Sequence, residues 1–226
     1  MPESAAAALG AVLFDFGDTL FERRSGPAGL VEAAAALGVR VEPPRAAAVW
    51  SEIQRAARTS EEVARGRDLS PSAHRREWTR LYSAADVIAP GLGSALYERE
   101  IDPATWLPFP DTVEVLARLV EAGVRLGVVS DTGWDIRAVF ERHGLARVIR
   151  TFVLSFERGA AKPSAGLFAA ACAELGVAPR AALMVGDNPI TDGGSVGAGV
   201  PALILPLTPP GERRGLDAVL RLARVA

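Results

Sequence analysis

The stretch Ala11-Val-Leu-Phe-Asp-Phe-Gly-Asp-Thr-Leu20 decides how the rest of the chain is read. Its first four residues are apolar without alternation, the pattern of a short strand buried on both faces. The run ends on a carboxylate, Asp15, and is broken two places later by Gly17, a residue that weakens strands. In an open α/β sheet the carboxyl ends of parallel strands face the ligand crevice, so an acid at that point is aimed at a ligand.

Four more runs share this character: residues 125–130, 151–155, 181–185 and 202–205. The later ones are separated by amphipathic helical stretches. The first of these, 112–122, is predicted to start at Asp111 as N-cap, with Glu114 three residues on, and to stop at Gly123. Residues 23–106 are too long for a crossover and read as helical throughout, over 30–37, 45–65, 71–82 after a Ser70 cap, and 92–100. The expected fold is therefore α/β: a doubly wound, Rossmann-like parallel sheet of about five strands carrying an inserted small helical cap domain. The core takes residues 1–22 and 107–226, and the cap takes 23–106.

With 49% hydrophobic and 23% charged residues and a net charge of -2, the 226-residue chain has the composition of a globular protein. It has no Lys/Arg-rich run, so neither nucleic acid nor an anionic membrane is expected as a partner, and a small molecule is. No apolar run reaches membrane-spanning length, and the run 5–16 has Glu3 ahead of it and no basic leader; a cytoplasmic location is expected. The single cysteine, Cys172, reads as a small core residue in an alanine-rich helix. Of 25 basic residues only Lys162 is lysine, which singles out a position where a compact ammonium is not replaced by the planar guanidinium.

Three strands end in polar residues: Asp15, then Ser130-Asp131-Thr132, then Gly186-Asp187. Carboxylates converging in one crevice suit a hard divalent cation such as Mg²⁺. In order and spacing these motifs resemble the haloacid dehalogenase-like hydrolase superfamily over essentially the whole chain. Asp15-Phe16-Gly17-Asp18-Thr19-Leu20 is similar to the first motif, Ser130 to the second, Lys162-Pro163 to the third, and Gly186-Asp187 with Asp192 and Gly197-Ala198-Gly199 to the fourth. The resemblance implies a phosphate monoester hydrolase acting on a small phosphorylated substrate, with Asp15 attacking phosphorus to form an aspartyl-phosphate. It further implies Mg²⁺ held by Asp15, Asp187 and the Gly17 carbonyl with help from Asp192, and phosphoryl oxygens received by Lys162 and Ser130, with Asp131 beside them.

One departure matters. Where this family usually has a second Asp as general acid, the chain has Gly17, and where it usually has Gly, the chain has Asp18. The expectation is a slow phosphatase, or one selective for good leaving groups, with Asp18 as a substitute acid only after local rearrangement. A Schiff-base reaction in the cap is excluded because residues 23–106 contain no lysine. The alternatives are a protein that binds phosphorylated ligands without turning them over and a metal-independent dehalogenase, which Asp187 and Asp192 oppose. Trp50, Trp78 and Tyr82 read as cap core, and His74 and His143 are too isolated to be ligands.

Overall fold

The computed structural model describes residues 9–23, 26–209 and 211–225, apart from the Val63 side chain. Residues 1–8 of the predicted core segment, including the start of the run read as no secretion leader, lie outside this range.

Among the described residues seven strands form: β1 (Ala11–Phe14), β2 (Phe21–Arg23), β3 (Trp106–Pro108), β4 (Arg125–Ser130), β5 (Ile149–Leu154), β6 (Ala182–Gly186) and β7 (Ala202–Ile204). Five make one sheet in the order β5-β4-β1-β6-β7, with every neighbouring pair parallel. The helices are α1 (Gly26–Ala36), α2 (Pro43–Ala57), α3 (Ser60–Ala64), α4 (Pro71–Tyr82), α5 (Leu92–Glu100), α6 (Thr112–Glu121), α7 (Arg137–Arg142), α8 (Ser155–Arg158), α9 (Ala165–Leu175) and α10 (Asp217–Ala223).

The unbroken apolar runs are explained by cover on both faces. Side chains alternate along a strand, so Val12 and Phe14 join Val128 and Val185 against Leu116, Phe140 and Leu220 of α6, α7 and α10. Ala11 and Leu13 face the other way, with Val129, Val153 and Met184, onto Phe168, Cys172 and Leu175 of α9. Cys172 is a free thiol buried there, as its alanine-rich setting implied.

Helices α1, α2, α4 and α5 enclose a third apolar cluster of their own, drawn from residues 30 to 101, in which Leu30, Ile53, Trp78, Tyr82 and Leu96 are buried. Trp50 and Trp78 lie 6.1 and 5.4 Å from the Tyr82 ring, so this aromatic set packs the insert. Ser70 caps α4 as expected, its hydroxyl accepting from Ala73 N at 3.2 Å.

Two local expectations are corrected and one short element is added. The helix expected over 45–65 breaks after Ala57, because Thr59 accepts from Glu62 N at 3.3 Å and opens α3 with an N-cap of its own. Asp111 occupies the N-cap position of α6 as expected, but its side chain makes no capping bond there; its carboxylate accepts from the main-chain N–H of Arg214, Gly215 and Leu216 at 2.8 to 2.9 Å and fixes the approach to α10. The antiparallel ribbon of β2 and β3, at the two ends of the helical insert, was too short to read from the sequence.

Candidate active site

The strand order sets β4, β1 and β6 side by side, and their carboxyl ends bring distant parts of the chain together. Phe14 pairs with Val128 on one side and Val185 on the other. The next residue, Asp15, donates its N–H to the Val185 carbonyl at 2.9 Å and is 9% exposed. Ser130 closes β4 and is buried, and Asp187 follows β6 directly.

Lys162 ties these ends together. Its Nζ donates to Asp15 Oδ1 at 2.7 Å and to Asp192 Oδ1 at 2.6 Å, and its main-chain N–H donates to Asp131 Oδ1 at 2.9 Å. Asp192 Oδ2 accepts from Asn188 N at 3.0 Å. Asp192 is fully buried, and it fits only because β6 ends in glycine: a Cβ on Gly186 would lie 2.1 Å from Asp192 Oδ2.

Asp15, Asp187 and Asp192 each offer a carboxylate oxygen, and these atoms lie within 4.8 Å of one another. Burial pushes Asp15 up to about 8; Lys162 opposes this, and Asp192 and Asp187 add to it. Asp187 is pushed up to about 6 by burial and by Asp18 and Asp192. Burial alone would depress Lys162, but the carboxylates of Asp15, Asp192 and Asp131 outweigh it and hold the amine above its ordinary value. Three acids thus share one ammonium, and the uncompensated negative charge on hard oxygen donors fits a small dication.

A cavity of about 460 Å³ opens over these groups. Asp15, Gly17, Asp18, Ser130, Asp131 and Lys162 line it, as does Asp187, so these predicted site residues face one space; Asp192 sits behind Lys162. A second wall of the cavity comes from the helical insert and the ribbon, and sequence reasoning missed most of it. Arg23 pairs with Glu100 at 2.8 Å and lies over Trp106 at 4.8 Å. Asp68 and His74 complete that wall beside Trp78. Burial, with Arg23, Arg67 and Arg75, holds His74 down at about 3, so it is a neutral ring with Nδ1 3.0 Å from the Tyr97 hydroxyl. His143 is placed elsewhere, with Nε2 2.9 Å from the Trp106 carbonyl.

The backbone reverses the usual demands at positions 17 and 18. Gly17 is outside the left-handed region, and a Cβ there would touch only the Trp106 ring, at 3.5 and 3.6 Å. Asp18 carries φ +56°, a conformation natural to glycine and tolerated by Asp. Its side chain is exposed at the cavity, and its carbonyl accepts from Arg214 Nε at 2.6 Å.

Comparison with known proteins gives the family and the fold. Residues 9–194 match the model of the haloacid dehalogenase-like hydrolase family. A glyceraldehyde 3-phosphate phosphatase of Methanopyrus kandleri is 35% identical over 83 residues, a match that spans 36% of this chain and 35% of that protein. Among solved structures, a HAD phosphatase from Thermococcus onnurineus superposes with a TM-score of 0.62 at 23% identity, covering 95% of this chain and 98% of that one. The L-2-haloacid dehalogenase of Xanthobacter autotrophicus gives 0.62 at 22% identity over 87% and 77% of the two chains. These two share the fold. The strand-end acids, the lysine that joins them and the match over residues 9–194 lead to one assignment: the chain belongs to the haloacid dehalogenase-like hydrolases.

Proposed function

We propose that the protein is a Mg²⁺-dependent phosphatase of small phosphate monoesters that works through an aspartyl-phosphate on Asp15. The observation that carries this is the Lys162 ammonium, 2.7 Å from Asp15 and 2.6 Å from Asp192, with the Asp187 carboxylate in the same cluster. Asp15 would hold the cation together with Asp187 and the Gly17 carbonyl, and Asp192 would support it from behind; when bound, it neutralises charge on the phosphoryl oxygens.

Asp15, buried at the end of β1, is aimed at phosphorus and attacks in line to split one displacement into two. Lys162 and the Ser130 hydroxyl receive the phosphoryl oxygens, and charge stabilisation by such fixed donors is what this transfer chiefly requires. Asp131 holds the main chain at Lys162 and so positions the ammonium. The helical insert closes the cavity, whose 460 Å³ suits a small ester, the class to which the substrate named for the Methanopyrus kandleri relative belongs.

Hydrolysis of p-nitrophenyl phosphate and of acyl phosphates, with Mg²⁺ and with chelator, tests the reading. Turnover that needs Mg²⁺ and is lost in Asp15→Asn supports it. Binding of phosphate esters with no turnover of any would turn the site into a receptor for phosphorylated ligands, the reading that the absent carboxylate at position 17 favours.

A further inference from the structure

Gly17 takes the usual proton donor out of the reaction just proposed, and the present inference rests on that reading. In-line attack by Asp15 places the departing oxygen on the far side of phosphorus, away from the strand ends. With position 17 bare, the part of the lining that the insert supplies is where another donor can approach that oxygen. Two carboxyl groups of the insert line the cavity, Glu100 and Asp68. Glu100 is committed: Oε2 lies 2.8 Å from Arg23 Nη1 and accepts from the Tyr82 hydroxyl at 2.8 Å.

Asp68 is differently placed. It sits in the loop between α3 and α4, and its carbonyl accepts from the Ser155 hydroxyl of the sheet layer at 2.6 Å. The same hydroxyl oxygen accepts from Thr132 N at 2.8 Å, two residues beyond Ser130. This clamp holds Asp68 against the second motif, while its carboxylate makes only long contacts. Trp78 Nε1 donates to Oδ1 at 3.4 Å, Arg67 Nε donates to Oδ2 at 3.3 Å, and His74 Nε2 stands 3.7 Å off. Arg67 is itself divided, with Nη1 donating to the Ala57 carbonyl at 2.6 Å.

We propose that Asp68 is the general acid of the first step and the general base of the second, standing in for the carboxylate that position 17 lacks. As the bond from Asp15 to phosphorus forms and the bond from phosphorus to the ester oxygen breaks, the departing oxygen takes the electron pair and the Asp68 proton. The alcohol leaves. A water then attacks the aspartyl-phosphate, gives its proton to Asp68 and releases phosphate, which restores both acids.

The charges around Asp68 suit the role. Burial raises its pKa and Glu100 adds to this; Arg67 and the Trp78 N–H oppose. From α4 it faces His74, which is neutral, and from the end of β4 it faces Asp131, whose own pKa burial also raises. Asp131 and Asp18 belong to the sheet side of the cavity, and Asp131 is already holding Lys162 N.

The test compares glycerol phosphate with p-nitrophenyl phosphate in Mg²⁺ buffer for the parent, Asp68→Asn, Asp68→Glu and Asp18→Asn. Asp68→Asn should lose about 10²- to 10⁴-fold on the alkyl ester and only a few-fold on the aryl ester, whose leaving group needs little protonation. Asp68→Glu should recover part of the loss, and the alkaline limb of the parent's pH profile should disappear in Asp68→Asn. If Asp68→Asn fails to fold, Asp68→Glu against the parent is decisive: its alkyl-to-aryl ratio must change. Equal effects on both esters, or a selective loss in Asp18→Asn alone, would overturn the role of Asp68 while leaving the phosphatase standing. A parent inactive on both esters would overturn the two together.

Discussion

Adding one methyl group to Gly186 tests whether the acids and the lysine work as one unit. A Cβ at this position would lie 2.1 Å from Asp192 Oδ2 and 2.2 Å from its Cγ. Non-bonded heavy atoms need about 3.4 Å or more, so the Asp192 carboxylate must retreat by more than about 1 Å. Asp192 is fully buried and its Oδ1 is 2.6 Å from Lys162 Nζ, so a shift of that size breaks the hydrogen bond that aims the ammonium. Overpacking of a core costs about 1 to 3 kcal/mol, which at this chain length lowers Tm by roughly 2 to 12 °C. A misplacement of about 1 Å near the reacting groups costs on the order of 10²-fold in rate. Gly186→Ala is measured by thermal unfolding and by kcat on p-nitrophenyl phosphate with Mg²⁺, beside Gly193→Ala, where a Cβ meets nothing within 4 Å. If the two variants keep the same Tm and the same kcat, the argument that Asp192 and Lys162 are held by the bare end of β6 is wrong.

Lys162→Arg should lower kcat by about 10²-fold or more, because a longer planar fork must enter a site where the side chain is 3% exposed and two carboxylates already sit at hydrogen-bond distance. Lys162→Met should cost about 3 to 5 kcal/mol in urea unfolding at pH 8, since Asp15 and Asp192 stay buried without their cation. The affinity for Mg²⁺ should weaken on acidification, by about tenfold between pH 8 and pH 5 from Asp187 alone, whose pKa stands at about 6; titration calorimetry checks it, and protons should be released on binding. In the metal-free protein the raised pKa values of Asp15 and Asp187 mean that the folded state holds protons which the unfolded chain gives up near pH 4. Their contribution to stability is present below that pH and is lost as pH rises through about 6 to 8, so Mg²⁺ should raise Tm more at pH 8 than at pH 5. Gly17→Asp with Asp18→Gly should restore glycerol phosphate turnover to Asp68→Asn: position 17 has room for a Cβ, and glycine suits the φ of +56° at position 18.

The sheet and its strand-end residues were legible because each signal is carried by neighbours in sequence. An apolar run followed at once by Asp15, Ser130 or Gly186-Asp187 states both the strand and the polar residues at its end, and the parallel sheet brings these to one cavity. Lys162 was legible through composition, as the one lysine of the chain. The break after Ala57 was legible too, in the Thr59-Ser60-Glu61-Glu62 pattern, but it was masked by the longer helical periodicity around it. Asp68, Arg23 and Glu100 carried no such signal. What makes Asp68 relevant is a hydrogen bond from Ser155, 87 residues away, and what removes Glu100 is an ion pair with Arg23, at the other end of the insert in sequence. Helix packing sets these contacts, and no local pattern encodes them.

Position 17 shows the limit from the other side. From sequence, Gly17 is an absence with two explanations: the fold forbids a side chain there, or the chemistry does without one. The structure removes the first, because a Cβ would meet only the Trp106 ring at ordinary contact distance, whereas the neighbouring Asp18 occupies the conformation that glycine would prefer. Since the fold does not demand glycine at position 17, the missing carboxylate belongs to the chemistry of this chain. Apart from Asp18, which needs a local rearrangement to serve, the proton for the leaving group then comes from the part of the cavity lining that the insert supplies, and this holds one carboxyl group without an ion-pair partner as close as that of Glu100: Asp68, whose nearest cation, Arg67, stands at 3.3 Å and is shared with Ala57.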